Sequence, residues 1–129
     1  IVTLHHIWKL VAASGLWKDD AFLDKLASAE IELTAIASAY AQAVSLLDRG
    51  QVGAESSFIK IAGTALLQRL CDLLLEAASA VGGGQGAKEL QGLTIQPAIS
   101  FLQNRRATIY GGTQEIQKDI VAKRVLNLP

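Results

Sequence analysis

The chain has no methionine, one cysteine and two prolines among its 129 residues. A single cysteine, Cys71, permits no internal disulfide, which excludes a disulfide-stapled secreted module. Charge of one sign is not in excess either: twelve basic residues meet twelve acidic ones, for a formal net charge of zero. That balance removes the basic surplus by which nucleic-acid binders attract phosphates. Long apolar runs are missing. Lys, Asp, Glu or Gln interrupts every stretch before the roughly 18 residues that a membrane span requires. No signal peptide is expected at the start of the chain. Residues 1–11 are apolar but carry His5, His6 and Lys9, and no small-residue cleavage site follows. A cytoplasmic setting is the resulting expectation. With Ile1 where a start methionine would stand, the chain is expected to be an excised or processed piece.

What remains is rich in alanine and half hydrophobic, with 19% charged residues. Such a composition excludes a disordered tail and suits one helical domain. Ile1, Leu4, Trp8 and Val11 fall at helical spacing, predicting a helix over 1–13 that ends at Gly15. Asp19 or Asp20 is placed to cap a second, long helix with Phe22, Leu26, Ile36, Tyr40, Ala43 and Leu47 on its apolar stripe, closed by Gly50. A third helix is predicted over 53–81, its buried side marked by Phe58, Ile61, Ala65, Leu66, Leu70, Leu73 and Leu74. The run Gly82-Gly83-Gly84-Gln85-Gly86 breaks it, and residues 87–96 read as an exposed connection. Pro97 suits the first turn of a short helix over about 98–105. Thr113 then caps a last amphipathic helix with Ile116, Ile120, Val121 and Val125 on one face. No strand with sustained alternation and no repeat is evident. The expected fold class is all-α, a four-helix up-and-down bundle built on two long antiparallel helices, with short extra C-terminal helices.

Several chemistries fall away at once. The two histidines are adjacent, so they point to different sides of a helix and cannot jointly hold a metal. Neither follows a glutamate at the spacing of a di-iron bundle. Cys71, among Leu70, Leu73 and Leu74, reads as a small buried hydrophobe. The glycine run at 82–86 is either a phosphate cradle or a helix terminus, and it lacks the Lys-Ser/Thr ending of a Walker loop. Charge is uneven: residues 103–129 carry five basic and two acidic groups, which suits either a solvated face or a nearby anion.

The specific signal is Arg106-Ala107-Thr108-Ile109-Tyr110-Gly111-Gly112-Thr113-Gln114-Glu115-Ile116-Gln117 and the helix that follows. Two glycines before a capping threonine bring bare backbone to a helix start, where the dipole favours negative charge. This string resembles the C-terminal signature of the acyl-CoA dehydrogenase family in its bacterial form, and the closing Arg-Val-Leu-Asn-Leu-Pro resembles the end of many bacterial members. The order of long helices, glycine-rich break and short helix agrees over the whole chain. The resemblance implies the C-terminal helical domain of a three-part enzyme, spanning residues 1–129 and lacking the N-terminal helical and middle β domains.

Further implications concern function. Family members bind FAD and oxidise an acyl-CoA thioester to the 2,3-enoyl-CoA, passing electrons to an electron-transfer acceptor. A glutamate serves as base, and in many members it follows the signature tyrosine. Here that position is Gly111, so no catalytic residue is assigned within the chain. Other branches place the glutamate early in the domain's first helix, before Ile1; either the parent uses that base or a partner subunit supplies the chemistry. Thr113 and Glu115 match positions that contact the flavin dinucleotide. Tyr110, Gly111 and Gly112 match the turn bordering thioester and flavin ring, a substrate-binding role. Gly82, Gly83 and Gly86 resemble a loop that approaches the FAD of a neighbouring subunit. The arginine-containing segment expected after the first helix is replaced by Gly15-Leu16-Trp17-Lys18-Asp19-Asp20, which suits a heteromer with fewer flavins than subunits. The implied assembly is a homo- or hetero-oligomer, with no nucleic acid, no metal and no membrane span, and the chain alone is expected to hold no FAD and to be inactive.

Overall fold

A computed structural model describes residues 2–51, 53–82, 86–90 and 92–129. Among them are five α-helices: α1 (Val2–Ala13), α2 (Asp20–Asp48), α3 (Glu55–Ala80), α4 (Pro97–Asn104) and α5 (Gln114–Arg124). Two 3-10 turns (Gly15–Lys18 and Arg105–Thr108) and two three-residue strands, β1 (Lys88–Leu90) and β2 (Leu93–Ile95), complete the order. The all-α class stands. The described residues divide into two compact units, Ile1–Ala29 with Leu67–Arg105, and Glu30–Leu66 with Arg106–Pro129.

The first unit holds nearly all of the core. Ile7, Leu10 and Val11 of α1 are buried at i, i+3 and i+4 spacing. Trp8, expected on the buried face, is 43% exposed, and Leu4 is only half-buried. The reason is that α1 is apolar on most sides, so spacing alone does not select one stripe. Gly15 does not end the helix in a left-handed cap; it begins the 3-10 turn, and the Ser14 hydroxyl accepts from the Leu16 amide at 3.2 Å. Asp19, not Asp20, caps α2, its carboxylate accepting from the Phe22 amide at 3.0 Å. Phe22, Leu26 and Ala29 of α2 are buried, as are Leu70, Cys71, Leu73, Leu74, Ala77 and Ala78 of α3. Each of the larger side chains contributes about 1.5–3 kcal/mol by leaving water.

Residues 88–90 and 92–95 correct the sequence expectation. They include an antiparallel strand pair with Lys88 opposite Ile95 and Leu90 opposite Leu93, and Gly92, at φ +77°, directly precedes β2. Ile95 is fully buried, so this segment is not simply an exposed connection. Pro97 begins α4 as expected. Asn104 Nδ2 donates to Ser100 O at 2.8 Å and to Cys71 Sγ at 3.4 Å. Arg105 pairs with Asp72, its guanidinium carbon 4.0 Å from the centre of the Phe101 ring. These contacts tie the end of α4 to α3.

The second unit buries little. Ala54, Ser57, Leu66 and Ala107 are its buried residues, and α5 has none. Tyr40, Leu47 and Phe58, expected inside, are exposed by 61%, 58% and 58%. Ala65 is exposed, and Ile36, Ala43 and Ile61 are half-buried. Ile116 and Val125 of the last helix are exposed as well. The amphipathic spacing is real, but it reports a stripe, not what covers it.

Candidate functional site

The signature turn joins the second 3-10 turn to α5, and its backbone explains its two glycines. Gly111 and Gly112 have φ of +69° and +89°. A residue with a Cβ in that left-handed region meets its own carbonyl oxygen, at a cost of roughly 1–2 kcal/mol. At Gly112 a Cβ would also lie 2.7 Å from Gln117 Nε2. At Gly111 the nearest atoms are Lys60 Cε and Nζ, at 4.0 Å. Position 111 therefore has room for a side chain, but its backbone conformation disfavours one.

All three carbonyls of the turn are held by side chains. Lys60 Nζ, from α3, donates to Tyr110 O at 2.8 Å and also to Gly112 O. Gln117 Nε2, from α5, donates to Gly111 O at 3.3 Å. One helical turn beyond Lys60, the Thr64 hydroxyl bonds back to Lys60 O at 2.8 Å and accepts from Gln114 Nε2 at 3.4 Å. The turn is thus bound to α3 and α5 within one unit.

Thr113 caps α5 as the sequence predicts, its hydroxyl oxygen accepting from the Ile116 amide at 3.4 Å. Glu115 is exposed, and its carboxyl is held below the usual glutamate range. Its own backbone amide is the larger cause, and the Thr113 hydroxyl adds to it. The side chains of Ile109 and Tyr110 are exposed by 64% and 61%. The turn therefore offers solvent bare glycine backbone, an apolar and phenolic edge, and an ionised carboxylate.

Tyr110, Gly111, Gly112, Thr113 and Glu115 thus stand together in the second unit. Gly82 and Gly86 belong to the first, and Gly83 lies outside the described residues. Gly82, at φ +74°, donates its amide to Ser79 O at 3.1 Å and terminates α3, which accounts for glycine there.

Two other reactive side-chain types lie outside this turn, in the first unit. Burial pushes the Cys71 thiol up, against the hydrogen bond from Asn104 and the charge of Arg105, so it stays protonated. The rings of His5 and His6 lie 6.3 Å apart and tilted. Burial, and secondarily the charge of His5, lowers His6 and keeps it neutral. Among the described residues no cluster of three or more potential metal ligands exists, and no helix is long and apolar enough to cross a membrane.

Sequence reasoning missed Lys60, Thr64 and Gln117. A signal for the first was present: Lys60 is the only charged residue between positions 56 and 68. A lone cation in an apolar helical stretch asks for a partner. Lys60 also lines an apolar groove of about 410 Å³, with Tyr40, Val44, Leu47 and Ile59.

Comparison with known proteins gives two findings. The family described as "Acyl-CoA dehydrogenase, C-terminal domain" matches residues 2–126. The Acyl-CoA dehydrogenase FadE34 of Mycobacterium tuberculosis (strain ATCC 25618 / H37Rv) is 38% identical over 98 residues, in an alignment that covers 69% of this chain and 12% of that protein. No solved structure matches. The chain therefore aligns with a small part of a much longer relative.

Proposed function

The chain belongs to the family of acyl-CoA dehydrogenase C-terminal domains, and from that premise we propose that it serves, over residues 1–129, as the C-terminal helical bundle of a FAD-dependent acyl-CoA dehydrogenase. The parent would oxidise an acyl-CoA thioester to the 2,3-enoyl-CoA and pass electrons to a second acceptor, in a cytoplasmic setting. The observation that carries this reading is the clamped turn at 110–113. Its glycines present bare backbone at the start of an eleven-residue helix, inside the stretch that matches the family.

The residues present fit a flavin dinucleotide. Without side chains at 111 and 112, a planar or anionic group can approach the backbone closely. Thr113 and the first amides of α5 would meet its electron-rich oxygens. Glu115, held ionised, is suited to accept from a hydroxyl or amino group of the dinucleotide and not to face its phosphates. Gly82, Gly83 and Gly86 would approach the flavin of a neighbouring subunit. FAD, when bound, supplies the acceptor for the hydride leaving the carbon β to the thioester. Tyr110, Gly111 and Gly112 would border the thioester and exclude water from it.

Gly111 provides no base, and its left-handed backbone disfavours replacing it with one. The proton next to the carbonyl must then be taken by a group outside these residues. Position 111 favours a second reading: the domain belongs to a structural or half-site subunit of a heteromeric dehydrogenase whose partner holds the base. The apolar side chains exposed on the second unit support oligomer or interdomain contacts in either case.

The test is to purify the full-length parent and the 129-residue chain side by side. Flavin absorbance and dye-coupled oxidation of acyl-CoA are expected in the parent and absent in the chain. Stoichiometric flavin on the chain alone would overturn the reading that the pocket needs the parent's other domains. A parent that assembles without flavin or turnover would support the structural subunit.

A further inference from the structure

We propose that Lys60 is the positioning residue of the signature turn, the group that sets the direction of its peptide planes. The argument starts from what the ammonium touches. Lys60 Nζ donates to the carbonyls of Tyr110 and Gly112, the first and third of three consecutive residues. The backbone that separates these two carbonyls runs through Gly111 and Gly112, the residue type that resists backbone rotation least. A turn built on Gly-Gly gains its left-handed geometry cheaply and would lose it as cheaply unless something outside it holds it.

The described residues contain no cis peptide bond. In a trans peptide the N–H points opposite to its C=O. With the Tyr110 and Gly112 carbonyls drawn to one ammonium, the amide hydrogens of Gly111 and Thr113 point away from it. Gln117 takes the intervening Gly111 carbonyl separately, at 3.3 Å. One cation therefore sets the direction of two backbone donors that bare glycine leaves approachable. The same stretch of α3 is tied to the helix after the turn, because the Thr64 hydroxyl, bonded to the Lys60 carbonyl at 2.8 Å, accepts from Gln114 Nε2 of α5 at 3.4 Å. Lysine suits this place because it has three donors and no acceptor, and a charged donor forms the stronger bond to a carbonyl.

The proposal deepens the reading of this turn as the border of substrate and flavin, and its catalytic arm rests on that reading. The experiment uses the full-length parent with Lys60→Met, Lys60→Arg and, as a control for loss of an exposed lysine in the other unit, Lys25→Met. Amide hydrogen exchange is followed peptide by peptide, and kcat and KM are measured with an acyl-CoA. The expected result is exchange faster by about tenfold or more at residues 110–117 in Lys60→Met, the scale of one charge-assisted hydrogen bond. Peptides of α1 and the strand pair should stay unchanged, Lys60→Arg should restore most of the protection, and Lys25→Met should match the wild type. In the same variant kcat should fall about tenfold or more while KM changes less than about threefold, since a misdirected donor acts on the transition state.

Unchanged exchange at 110–117 would overturn the proposal. Faster exchange everywhere would also overturn it, marking Lys60 as a general stability residue. Local loosening with wild-type kcat would refute the positioning role. If the wild-type parent binds no flavin, the functional reading fails on that fact, and the clamp is then decided by exchange alone.

Discussion

Position 112 is the residue at which a side chain would disturb both the backbone and the clamp on the turn. Its φ of +89° calls for glycine, and a Cβ there, 2.7 Å from Gln117 Nε2, would push aside the flexible amide that holds the Gly111 carbonyl. Gly112→Ala is expected to destabilise the chain by about 1–3 kcal/mol, and Gly111→Ala by the backbone share alone, about 1–2 kcal/mol. Urea unfolding of both variants checks the order. Cys71 gives a chemical prediction at the same scale. It is fully buried and its thiol is pushed up, so the native chain should not react with a thiol reagent that labels it promptly in denaturant. His6 adds a pH dependence. Its folded form is held below the ordinary histidine value of 6.5, so the unfolded chain binds more protons as pH falls through that value. Stability should therefore decline as the pH drops from 7 toward 5, and His6→Gln should flatten the decline in thermal unfolding.

Among the elements, the two long helices behave differently along their length, and one pair of substitutions shows it. Phe22 of α2 is fully buried, whereas Phe58 of α3 is 58% exposed. Phe22→Ala should cost about 3–5 kcal/mol in chemical unfolding, and Phe58→Ala a small fraction of that. Helix existence was legible in the sequence because alanine content and apolar spacing agree. Thr113 stands at the cap of α5 and Pro97 in the first turn of α4, as their chemistry predicts. The buried face of α1 was not, because an apolar helix offers several stripes and only the neighbours choose Ile7 and Leu10 over Trp8. The strand pair escaped for a different reason: three-residue strands are too short for a period of two to show. At the signature turn the glycines and the cap were legible as a local string. Lys60 was not, since it lies fifty residues from Tyr110 and the contact is a product of folding.

For the whole molecule, zero net charge acquires a local meaning. An anionic ligand would be met by a helix start and a glycine turn, not by a basic surface. The uneven burial matters more. The core lies in the first unit, while the second presents Tyr40, Leu47, Phe58, Ile109 and Ile116 to solvent. An isolated chain with such surfaces should self-associate, and light scattering at rising concentration should show mass above that of the monomer. A sharp monomer at every concentration would count against an interface role. The central claim is that the turn at 110–113, held in its left-handed geometry, is a part that the parent's site requires. It is tested most directly by dye-coupled acyl-CoA oxidation in the full-length parent carrying Gly112→Ala. A displaced turn should lower turnover by about a hundredfold, with the parent still folded. Wild-type turnover in that variant would contradict the account.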